Sequence, residues 1–257
     1  MAFAGGFLFR YRSWRRVMRF AGIATVALVS PSTYRAGTRE LAVRQIYVTA
    51  WEVLPGYLFF SAILSVVIIE IVANAARNYG LSQYALELML RVLVLEVIPL
   101  LTALFVALRT GAAIGSEVAL MTVSGELVEE QATGERPLEN ELVPRIAGAA
   151  LSVASLTTLA CAIAVWLAYT ATYGFSNAGL PEFERVVAQV FDGQVLSGFL
   201  LKCLLFGLAV ALIPVATGLE AERGDLQSAP NAVLGGLVKL FFVIGLIEVL
   251  SLVSKYF

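Results

Sequence analysis

The sequence contains no histidine, only two cysteines, and few charges: 14% of its 257 residues are Asp, Glu, Lys or Arg. Without imidazole there is no His-based general base and no His-containing metal cluster. No serine stands at a convincing spacing from a base, so an intramembrane enzyme is disfavoured. No GxxxxGK[ST] phosphate loop occurs, so the chain does not bind and hydrolyse ATP in the usual way. Cys161 and Cys203 both fall in apolar runs, where a small buried hydrophobe is the simpler reading than a disulfide. Internal repeats, low-complexity segments and a second, polar domain are also missing, and nothing points to a nucleic-acid partner.

What is present is apolar. Hydrophobic residues make up 59% of the chain and the mean hydropathy is +0.84, far from the composition of a soluble domain. A hydrocarbon core about 30 Å thick takes about 20 helical residues to cross. Five stretches meet that length, roughly 53 to 76, 86 to 108, 146 to 170, 195 to 217 and 232 to 254. The expected fold is therefore an all-α integral membrane protein with five transmembrane helices, preceded by an N-terminal region over residues 1–45. Pro55-Gly56 near the start of the first span predicts a kink.

That N-terminal region carries Arg10, Arg12, Arg15, Arg16, Arg19, Arg35, Arg39 and Arg44 against one acid, Glu40. An excess of this kind beside a first span places the N-terminus in the cytoplasm, and five spans then put the C-terminus outside. Segments 109 to 145 and 218 to 231 become cytoplasmic, and 77 to 85 and 171 to 194 lie on the far side. The first apolar run is short and interrupted by arginines, unlike a cleavable signal. At about 100° per residue, Phe3, Phe7, Tyr11, Trp14, Met18 and Ala21 gather on one side of a helix and Arg12, Arg15, Arg16 and Arg19 on another. Such a helix lies on an anionic membrane surface; a basic tail without fixed structure is the plainer alternative. In the outer loop, Pro181 at a first helical position precedes Phe183, Val186, Val187, Val190 and Phe191 at helical spacing. A short helix is expected there, either on the outer surface or packed on the spans.

Ionisable groups at membrane depth are costly unless paired or hydrated. Glu70, Glu96, Lys202 and Glu248 all count toward the outer ends of their spans, and could meet there. They then line either a polar cavity that receives the headgroup of an amphipathic ligand, or a plain ion pair such as Glu96 with Lys202. Glu87 and Arg91 stand one turn apart and should pair at the outer interface. Lys239, near the inner end of the last span, is expected to snorkel toward headgroups.

In the cytoplasmic segment, Gly111 and Gly115 have the GxxxG spacing that lets helices approach closely, within a chain or in a dimer. Ser124 reads as the N-cap of a short helix carrying Glu126, Leu127, Val128, Glu129 and Glu130, with Gly134 as its stop. Its acidic face suits a basic groove on a protein partner, or water.

With these residues the sequence resembles the MlaE/YrbE permeases, membrane subunits of ABC-type lipid transporters that work with MCE-domain proteins. The run reads Leu95-Glu96-Val97-Ile98-Pro99, Arg109-Thr110-Gly111 and Ser116-Glu117-Val118-Ala119-Leu120-Met121, then Pro137-Leu138 and Pro144-Arg145. Arg44-Gln45-Ile46-Tyr47 upstream, and Leu201-Lys202-Cys203 and Gly218-Leu219-Glu220-Ala221 downstream, continue the similarity. Glu96-Val97-Ile98-Pro99 stands where the family usually has Glu-Leu-Gly-Pro.

The resemblance implies a homodimer in the bacterial inner membrane, with a permease domain over 46–257. It implies that Glu96 and Lys202, with Glu70, Glu248 and Arg91 nearby, lie by a lipid pathway. It further implies that Ser124, Glu126, Leu127, Glu129 and Glu130 couple to a separate ABC ATPase that binds ATP and magnesium, while an MCE-domain protein, as a hexameric ring, meets the far side. The chain itself would hold no cofactor and no metal. A secondary transporter or channel relaying protons through Glu70, Glu96 and Glu248 is the competing expectation.

Overall fold

The computed structural model describes Arg19, Phe20, Gly22, Ala24 and residues 36–81, 84–128 and 142–256. Among these residues there is no strand, and five helices are long and apolar enough to cross a membrane. Helix α1 runs Ala36–Asn78 with Pro55 inside it. Helix α2 runs unbroken over Ala85–Ser124, α3 over Val143–Tyr173, α5 over Gly193–Gly218 and α6 over Ser228–Tyr256. The short α4, Leu180–Val190, follows the loop after α3.

Two helices outrun their expected spans. The first span does not begin a helix near residue 53, because the helical backbone already starts at Ala36. The second does not end as a helix near residue 108. Its helix continues for 15 residues beyond Arg109, to Ser124, since residues 111 to 123, Glu117 apart, remain apolar or small and bury Ile114, Val118 and Val123. Gly125, at φ 82°, then ends it in the left-handed conformation that favours glycine.

Exposure separates the helices. In the apolar windows of α1 and α6 only 22% and 17% of residues are buried, against 56% in α2 and 61% in α5. Phe59, Phe60, Ile63, Val67 and Ile71 on α1 and Leu234, Val238, Phe242 and Val249 on α6 are open. Apolar side chains exposed along a helix of spanning length have lipid as their natural solvent. This is a multi-pass membrane protein.

The contacts divide the chain into two compact units, and every long helix contributes a stretch to each. One unit holds Val106–Ser152 and Gly207–Ile244 with the described residues up to Thr49; the other holds Ala50–Phe105, Val153–Phe206 and Gly245–Phe257. In the first, Ile114, Val118, Ile146, Leu212 and Val215 form a closed apolar core in which Ala24 is buried and against which Phe20 packs. Arg19 is exposed. The rest of the expected interfacial helix lies outside the described residues.

Close approach in this unit depends on missing side chains. A Cβ on Gly218 would stand 2.9 Å from both the Gly115 carbonyl oxygen and Val118 Cβ. Gly111 and Gly115 face Pro214 of the same chain, 3.3 and 3.5 Å from where their Cβ atoms would be. The GxxxG pair is thus used in close packing within the chain, as small residues allow in membranes.

In the second unit, α4 turns Phe183, Val186, Val187, Val190 and Phe191 inward and leaves Glu182, Glu184 and Arg185 exposed. The Phe183 ring meets Tyr169 edge to face at 5.0 Å. Of the two placements open to this helix, packing against the bundle is the one adopted. The unit also holds a polar seam: buried Tyr57 donates to Thr102 Oγ1 at 2.5 Å, because the Thr102 hydroxyl is already committed to Ile98 O at 2.8 Å.

Candidate functional site

The site begins with a backbone irregularity. Within α2, residues Leu90–Val97 form a π-helical stretch that passes into α-helix at Ile98. Pro99 follows at once and has no N–H to donate. The carbonyls that would have received that hydrogen, Leu95 O in α-helical and Val94 O in π-helical register, are left without it. Side chains from other helices replace it. Lys202 Nζ of α5 donates to Leu95 O at 3.4 Å, and Cys161 Sγ of α3 donates to Val94 O at 3.6 Å. Backbone groups in a dry interior must be satisfied, so a proline in α2 draws a lysine and a thiol to one turn.

Glu96 sits in that turn. Its Oε2 is 2.5 Å from Lys202 Nζ, and its Oε1 is 2.7 Å from Lys255 Nζ at the end of α6. Glu248, two turns before Lys255 on α6, places Oε2 2.8 Å from Lys202 Nζ. The order is Lys255, Glu96, Lys202, Glu248: two cations alternate with two carboxylates and the formal charges cancel. Lys202 is 2% exposed, Glu248 13%, Glu96 14% and Lys255 20%. The Lys202 ammonium also stands 5.8 Å from the Phe206 ring centre, at the outer limit of a cation–π contact. At Glu248 Oε2 the ion-pair distance comes without hydrogen-bond geometry, so this buried oxygen keeps unused acceptor capacity.

The alternation is what makes the burial tolerable. A lone charge at this depth costs several kcal/mol, and pairing offsets that cost only if both partners are well satisfied. Lys202 meets the requirement with two carboxylates, one carbonyl and an aromatic face.

The other residues singled out by sequence fall elsewhere. Glu70 is exposed on α1 and joins no ion pair among the described residues, so the expected meeting of three acids reduces to two. The α1 face that turns inward there carries Ser61, Ser65 and Ile69 instead. Arg91 pairs with Glu87 at 2.8 Å, both about one-third exposed. Lys239, expected to snorkel toward headgroups, pairs with Glu220 at 2.9 Å within the first unit. Ser124 is not an N-cap. It is the last residue of α2, and its hydroxyl donates back to Met121 O. Glu126 is exposed and Leu127 half-buried in the single turn that follows, while Glu129 and Glu130 lie outside the described residues.

Lys255 is the one member of the centre that the apolar pattern does not single out, because it stands at the edge of the last apolar helix. The available signal was its spacing: seven residues, two helical turns, put it on the Glu248 face.

The arrangement is a charge-neutral polar centre inside an apolar helix bundle, with its cations graded from buried to accessible. Known proteins match the chain. It is 25% identical over 203 residues to the intermembrane phospholipid transport system permease protein MlaE of Haemophilus influenzae, covering 76% of each chain. It is 26% identical over 152 residues to a probable ABC transporter permease protein of Synechocystis sp., covering 57% of each. The description of the family Permease MlaE matches residues 42–253, which takes in all five apolar helices and three of the four charged residues of the centre. On that match, the chain belongs to the MlaE permease family.

Proposed function

We propose that this chain is the membrane subunit of an ABC-type transporter that moves phospholipid, or a related lipid, between the inner membrane and an MCE-domain partner. A separate ATPase, holding ATP and magnesium, drives it. The observation that carries the reading is the neutral chain of four charges within apolar helices: lipid tails need apolar walls, and a headgroup needs paired charges that can be exchanged. The name of the Haemophilus relative supports the substrate class, and that of the Synechocystis relative supports the ABC assignment. In this reading the N-terminus is cytoplasmic, two copies form the permease, and the turn after Ser124 meets the ATPase.

A proton or cation relay through Glu70, Glu96 and Glu248 would need the three carboxylates to follow one another. Glu70 stands apart on α1 and Glu96 is held by two lysines, which leaves Glu248 without a partner carboxylate free to relay. Purification from native membranes followed by mass spectrometry is expected to recover an ATPase, an MCE-domain protein and lipid with this chain. Glu96→Ala and Lys202→Ala are expected to slow lipid delivery to acceptor vesicles severalfold while the complex still assembles. Wild-type delivery in both variants, or transport by the lone chain without nucleotide, would refute the reading.

A further inference from the structure

The net charge of the polar centre constrains what can enter it. Lys202 is enclosed and held by two carboxylates, whereas Lys255 is the most exposed of the four and ends the apolar run of α6. Glu248 lies about 10 Å further along the helix axis. The Lys255–Glu96 pair is therefore the member that an approaching headgroup meets first. Opening it lets Lys255 turn a donor, and Glu96 an acceptor, to the headgroup, and Glu248 Oε2, 2.8 Å from Lys202 Nζ, lies in the same centre.

Resting on the lipid-permease reading, we propose that the Lys255–Glu96 pair opens to take a zwitterionic headgroup. The headgroup phosphate binds Lys255, and its ammonium binds the Glu96 oxygen that Lys255 vacates. Such an exchange replaces one ion pair by two and leaves the centre neutral. An anionic headgroup satisfies Lys255 but strands a carboxylate and leaves an excess negative charge in a poorly hydrated place, where charge imbalance is expensive. The neutral centre thus selects a headgroup with both signs of charge, and the outer cation is a specificity residue.

The test uses the full chain in nanodiscs of equimolar phosphatidylethanolamine and phosphatidylglycerol, with retained lipids quantified by mass spectrometry after mild extraction. Elution profile and helical circular dichroism confirm that each variant is folded. Wild type is expected to retain the zwitterionic lipid over the anionic one by about tenfold, the effect of one unbalanced charge of modest cost. Lys255→Arg should keep this preference, and Lys255→Met, which leaves the centre with a net negative charge, should raise discrimination against the anionic lipid severalfold while lowering the total lipid retained. Glu248→Gln, which leaves the centre with a net positive charge, should shift retention toward the anionic lipid. Retention without headgroup preference in wild type, or a preference unmoved by Lys255→Met and Glu248→Gln, overturns the proposal and leaves the permease reading intact. Absence of any retained lipid from folded wild type overturns both.

Discussion

The same pair of residue types, lysine and glutamate, is used in both units of the molecule under different conditions. In the unit containing Gly111, Lys239 and Glu220 are 16% and 18% exposed at 2.9 Å. Arg145 meets Glu117 at 3.2 Å with the carboxylate half open. These pairs sit around a core held by small residues and Pro214, and the cohesion of the unit comes from close backbone approach. In the unit containing Glu96, Lys202 is almost fully enclosed and is shared by two carboxylates. The most enclosed cation is the one shared by two carboxylates, and the chain supplies its partners from α2 and α6. The lesson is that a charge withdrawn from water is kept only where counter-charges reach it from other helices.

The largest expected effect comes from removing the enclosed cation. Lys202→Met leaves Glu248 buried without a cation, and stability should fall by about 3 to 5 kcal/mol, read as a lowered midpoint of thermal unfolding in nanodiscs. Adding Glu248→Gln restores neutrality, because Glu96 keeps Lys255, and should recover more than half of the loss. A double variant no better than the single one would show that cohesion here does not come from charge balance.

A smaller effect is expected where the other unit is packed most tightly. A Cβ at Gly236 would overlap Thr217 Oγ1, so Gly236→Val should cost about 1 to 3 kcal/mol through overpacking. Trimming the obstacle with Thr217→Ala should return part of it; an unchanged midpoint in Gly236→Val would remove small-residue packing as the basis of that unit. The smallest effect belongs to Glu117→Gln, which breaks a pair whose carboxylate is half open and should cost about 1 kcal/mol or less. If this loss equals that of Lys202→Met, the contrast between the two settings collapses.

Much of the fold was legible because hydropathy along the chain is a one-dimensional property. Five apolar runs gave five spanning helices, and the i, i+3, i+4 stripe from Phe183 to Phe191 faces inward as its spacing requires. Glu87 and Arg91 pair as one-turn neighbours do. Helix ends were less legible. The charge at Arg109 marked a polar boundary without breaking the helix, and Ser124, a good N-cap by type, closes a helix because Gly125 takes the left-handed turn just after it.

Composition and periodicity alone determined that the chain has five helices apolar enough to cross a membrane, and that a charge within those runs is costly unless paired or hydrated. Only tertiary structure decided which charges meet. Glu70 and Glu96 stand at similar depths in the sequence, yet one faces outward and the other joins three charged neighbours. The reason is azimuthal. Depth follows from counting residues, but the face a residue presents depends on helix rotation, and a π-helical turn such as Leu90–Val97 shifts the following face by about one residue's angle. The carbonyls of that turn meet Lys202 and Cys161, which lie far from it in sequence and reach it only in the folded bundle.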